Sequence, residues 1–76
     1  QGQYDRALER YQQALKIFRR VGDRWGEVLV LNFMGRVYRL QGRYDTALQQ
    51  HQQALSIAQK LRDPWRESGA LQATAR

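Results

Sequence analysis

The chain has 76 residues, with 13 Lys+Arg against 7 Asp+Glu for a net charge of +6, one histidine and no cysteine. A chain this short is one domain or part of one, and it buries only about 60% of the surface that its unfolded form exposes. The lack of cysteine excludes a disulfide framework and thiolate metal sites, the lone His51 removes the usual zinc sets, and there is no signal-peptide pattern and no apolar run near the ~18 residues a bilayer requires. What remains is a small helical module, expected in a reducing compartment, the cytoplasm, without metal or cofactor.

The first predicted helix covers about residues 4–21. Its apolar residues are Tyr4, Ala7, Leu8, Tyr11, Ala14, Leu15 and Phe18, a stripe of helical period with Arg6, Glu9, Arg10, Gln13 and Lys16 outside it. Gly22-Asp23 breaks the helix, and Asp23 is suited to cap the next. The second helix, about 24–41, is apolar nearly all round, as expected of a helix covered on several sides, and it ends at Gly42. The third, about 44–61, repeats the first. The fourth, about 64–75, opens on Asp63-Pro64, a cap followed by a proline at the first helical position.

An internal duplication organises these elements. Residues 1–36 align with 41–76 at an offset of 40, and 16 of the 36 pairs are identical, among them Gly2/Gly42, Tyr4/Tyr44, Ala7/Ala47, Trp25/Trp65 and Leu31/Leu71. A fixed period of this size signals a solenoid whose units bury their apolar faces against neighbours. The expected fold is therefore all-α, an α-solenoid of antiparallel helix hairpins with about four helices. Residues 1–76 form a single segment, expected to be an excerpt of a longer array or a trimmed or designed piece. The first helix, with Tyr4, Leu8, Tyr11, Leu15 and Phe18, lacks a hairpin partner, and the last, with Leu71 and Ala75, lacks the one that should follow, so these ends are expected to expose apolar strips and to drive weak self-association.

Leu31, Met34-Gly35, Tyr38, Gly42, Tyr44, Ala47, His51 and Ala54 together resemble the tetratricopeptide repeat (TPR) pattern, and the resemblance spans essentially the whole chain. Gly35, Ala47 and Ala54 are small where helices must approach closely, and Tyr38 and Tyr44 are large where gaps need filling. The unit is longer than the common one of about 34 residues, lacks the usual proline after its second helix and has His51 where an aromatic is usual. In length it resembles the repeats of kinesin light chains, cell-polarity adaptors and bacterial regulators. The resemblance implies a protein-interaction scaffold whose first helix in each unit lines a concave groove.

The polar interruptions of the second helix fit that groove. Asn32, Arg36 and Arg39 are spaced four and three apart and form one narrow stripe, with Trp25 and Leu29 toward its N-terminal end. Gln72 and Arg76 continue the pattern in the fourth helix. The resemblance assigns Asn32 to the backbone of an extended peptide and Arg36 to its side chains or carboxylates. The partly basic groove favours an acidic or carboxylate-ended partner. Trp25 and Trp65 recur at one register, which also fits packing between repeats, and His51 replaces Tyr11 at a position read as core. Asp5, Asp45, Glu27 and Glu67 sit in first helical turns, where they complement the helix dipole.

Other classes have less support. Nucleic-acid binding would need Arg6, Arg10, Arg19, Arg20 and Arg24 to form one continuous surface, and no base-reading motif is present. An enzyme needs convergent groups with a positioned base, and one histidine, Ser56 and Ser68 without partners and no phosphate-cradling glycine loop do not supply them. A model repeat without a ligand is the remaining alternative.

Overall fold

The computed structural model describes residues 2–62. Within them the chain forms three helices, α1 (Gly2–Val21), α2 (Arg24–Leu40) and α3 (Tyr44–Arg62), joined by short turns and packed in order, with α2 against both neighbours. The boundaries match the three expected helices to within two residues. The expected fourth helix, 64–75, lies outside the described residues.

Both turns are glycine-made. Gly22 and Gly42 take positive φ, at 78° and 80°, a region that glycine enters without the steric penalty of a Cβ. After α1, the Asp23 N–H donates to the Phe18 carbonyl (2.8 Å). After α2, the Arg43 N–H donates to the Tyr38 carbonyl (2.8 Å) and the Gly42 N–H to that of Arg39 (2.9 Å). These bonds satisfy carbonyls that a helix end otherwise leaves open. Asp23 caps α2 as expected, its carboxylate accepting from the Gly26 N–H at 2.9 Å.

The core runs along α2. Val30, Leu31, Met34, Val37 and Tyr38 are buried between Leu8 and Leu15 of α1 and Ala47 and Ala54 of α3. The small alanines let α3 approach closely, as the sequence predicts. Glycines mark the tightest crossings. A Cβ on Gly26 would fall 2.7 Å from the Phe18 ring, and one on Gly35 would fall 2.6 Å from Nε2 of His51. The Arg43 guanidinium lies over the buried Tyr38 ring, 4.9 Å from its centroid.

Three expectations are corrected. Leu8 and Leu15 in the first helix are not left open, because α2 covers them. Tyr44 fills no gap among the described residues and is exposed. Glu27 does more than complement a dipole: it is 2% exposed, and its two carboxylate oxygens accept from Arg24 Nη1 (2.8 Å) and Arg19 Nε (3.2 Å). The carboxylate thereby ties the end of α1 to the start of α2 across the Gly22 turn. Two charge-assisted bonds offset the desolvation that burial imposes.

Candidate functional site

α2 is not covered all round. Trp25, Leu29, Asn32, Phe33, Arg36, Arg39 and Leu40 remain exposed along one face, because α1 and α3 flank the helix and leave the strip between them open. Trp25 is half-exposed among the described residues. At 1.5 Å per residue, the strip from Trp25 to Arg39 is about 21 Å long. Its N-terminal half is apolar, and its C-terminal half carries the cations Arg36 and Arg39.

Where the two halves meet, Asn32, Phe33, Arg36, Arg39 and His51 line one concavity of about 270 Å³. The structure thus brings together the three polar residues that the sequence pattern selected. Trp25 and Leu29 lie further along the same face, and Gln72 and Arg76 fall outside the described residues. A second concavity, lined by Arg24, Ile57, Lys60 and Leu61, is less suited to a ligand, because Arg24 is already paired with Glu27.

Phe33 and His51 are the two lining residues that the sequence reading did not place here. Phe33 forms one wall and is backed by Tyr11 of α1, on which it stacks with centroids 5.7 Å apart and planes 15° from parallel. A helical wheel puts Phe33 beside Arg36, three residues on, a signal masked by its apolar neighbours. His51 forms the other wall. It is exposed, not core: its ring rests on Gly35, and its Nδ1 lies 2.9 Å from Oδ1 of Asn32. Its replacement of a stacking tyrosine by a hydrogen-bonding ring was the available signal.

Among the described residues no acidic side chain lines the concavity. The polar groups offered are an amide, two guanidiniums and an imidazole, a set rich in hydrogen-bond donors. Among the described residues no three His, Cys, Asp or Glu side chains converge as metal ligands, and no helix is long and apolar enough to cross a membrane.

Comparison with protein families matches residues 1–60 to the family model described as Tetratricopeptide repeat. No curated protein and no solved structure matches the chain.

Proposed function

The chain belongs to the tetratricopeptide repeat family, whose members are generally protein-interaction scaffolds and typically non-catalytic, and on that premise we propose that the open face of α2 binds an acidic segment of a partner protein. The observation that carries this reading is the convergence of Arg36, Arg39, Asn32 and His51 on one concavity with no carboxylate among the described residues that line it. Arginine forks suit carboxylates. Trp25, Leu29 and Phe33 add apolar surface at the other end of the strip, so a segment with a large apolar residue beside its acidic ones uses both halves. Gln72 and Arg76 would extend the same surface if the fourth helix forms at the expected register. The 40-residue period, with helices of 20, 17 and 19 residues, supports kinship with the longer-unit members of the family.

The nucleic-acid reading has lost support, since two of the arginines that it needs, Arg19 and Arg24, are engaged by Glu27. Weak self-association, a second use of the scaffold, would draw on the half-buried Tyr4 and Ala7 and the exposed Tyr44 and Leu48. Sedimentation at rising concentration tests it, and an unchanged monomer mass would exclude it. The groove itself is tested by calorimetric titration with a glutamate-rich, leucine-containing peptide and with its lysine counterpart. The acidic peptide should bind more tightly and weaken with salt, and Arg36→Gln with Arg39→Gln should abolish the preference. Equal binding of the two peptides would contradict the reading.

A further inference from the structure

We infer that His51 is a positioning residue: it sets the orientation of the Asn32 carboxamide so that this stretch of the groove presents donors only, and it reinforces that bias when it takes up a proton. The inference rests on the groove reading for its biological meaning, but the side-chain arrangement can be tested without any ligand.

The contact is between Nδ1 of His51 and Oδ1 of Asn32, 2.9 Å apart, and it joins α3 to α2 across the groove wall. An imidazole and a carboxamide can meet in two ways. In one, Nδ1–H donates to Oδ1 and the Asn32 NH2 group is left for the groove. In the other, the NH2 donates to a bare Nδ1 and the carbonyl is left outward. The structure places Oδ1 toward Nδ1, and because a carbonyl oxygen can only accept, the inferred tautomer is that of the first arrangement, with its proton on Nδ1. The ring reaches Asn32 because it lies on Gly35, where an added Cβ would fall 2.6 Å from Nε2 and 2.8 Å from Cε1. Tyr11, the counterpart of His51 forty residues earlier, does nothing comparable, since it stacks on Phe33.

Protonation makes the choice absolute. A charged imidazole has no lone pair to accept with, so only the first arrangement survives. The same proton adds a positive charge beside the guanidiniums. Around the ring, α2 contributes Arg36 and Arg39 to the lining, α1 contributes no charged side chain to it, and the adjacent turns of α3 supply only Ala47, Leu48, Ala54 and Leu55. Among the described residues no carboxylate in that lining cancels the added charge. The Asn32 NH2, Arg36, Arg39 and protonated His51 are then all donors. Main-chain carbonyls and carboxylates fit them, and groups that only donate do not. A protonated His51 should therefore favour acidic segments more strongly than a neutral one.

The full chain suits the test, because His51 is its one histidine and Asn32 its one asparagine. Long-range nitrogen–proton NMR should find the neutral ring protonated at Nδ1, and the Asn32 side-chain NH2 signals should move between pH 8 and pH 5.5. In Asn32→Ala the Nδ1–H preference should disappear. The probe for binding is the glutamate-rich, leucine-containing peptide, titrated from pH 8 to pH 5.5. Wild type should gain roughly threefold to tenfold in affinity, the effect of one added charge near the solvent boundary. His51→Phe keeps a ring over Gly35 and should bind weakly with a flat profile. His51→Gln restores an amide donor and should recover the affinity at pH 8 without the gain at pH 5.5. A neutral ring protonated at Nε2, or a His51→Phe profile identical to wild type, would overturn the inference. If the NMR result is as expected and the peptide binds at no pH, the positioning stands and the groove reading fails.

Discussion

α1 and α3 carry equivalent sequences in the same register and bury different faces of them. Leu8 and Leu15 of α1 are 7% and 8% exposed, whereas their counterparts Leu48 and Leu55 in α3 are each 55% exposed. The alanines reverse the pattern: Ala47 and Ala54 of α3 are buried, and Ala7 and Ala14 of α1 are half-buried. A helix of this type therefore has two docking faces. Its leucine face receives the helix that follows, and its alanine face receives the helix that precedes. α2 fills both roles at once, against the leucines of α1 and the alanines of α3. Position in the stack, rather than composition, decides which face is covered.

Leucine truncation should separate the two helices most. Leu15→Ala removes a buried side chain and should destabilise by about 2–4 kcal/mol in urea unfolding, the range for core truncations. Leu55→Ala should stay within about 1 kcal/mol, as for exposed positions. A loss at Leu55 matching that at Leu15 would mean that residues beyond 62 cover the leucine face of α3.

Enlarging the alanines should invert this ranking. Ala54→Leu overpacks the close approach of α2 and α3 and should destabilise by about 1–3 kcal/mol, whereas Ala14→Leu should be nearly neutral. Equal effects would show that the alanine face of α1 is also closed.

The two junctions differ in their polar ties as well. Glu27→Gln breaks the charge-assisted contacts to Arg19 and Arg24 and should lower stability by about 1–2 kcal/mol, with the midpoint in urea as the readout. Across the other junction, Gly35→Ala should change stability by less than about 1 kcal/mol, since helix propensity gained offsets the displaced, exposed His51 ring. It should nevertheless eliminate the bond from His51 to Asn32, which side-chain NMR would detect.

Much of this arrangement is legible in the sequence. Gly22 and Gly42 mark the turns, the 3.6-residue stripes mark the helices, and the duplication marks equivalent positions. Asn32, Arg36 and Arg39 stand out because an otherwise apolar helix has few reasons to interrupt itself. What the pattern does not carry is which of two equivalent faces is covered, since that depends on neighbours in space. For this reason Leu8 was expected open and Tyr44 covered, and the structure has the reverse. His51 and Glu27 escaped for a related reason. Their roles come from partners on another helix, Asn32 nineteen residues from His51 and Arg19 eight residues from Glu27, and helix periodicity encodes no contact across a turn.

The central claim is that the open face of α2, rather than the leucine face of α3, receives the ligand. Amide and side-chain NMR of the full chain, titrated with the glutamate-rich, leucine-containing peptide, tests it most directly. The account predicts the largest shifts at Leu29, Asn32, Phe33, Arg36, Arg39 and His51, with Tyr44, Leu48 and Leu55 unmoved. Shifts centred on Leu48 and Leu55, with Asn32 and Arg36 unchanged, would contradict it.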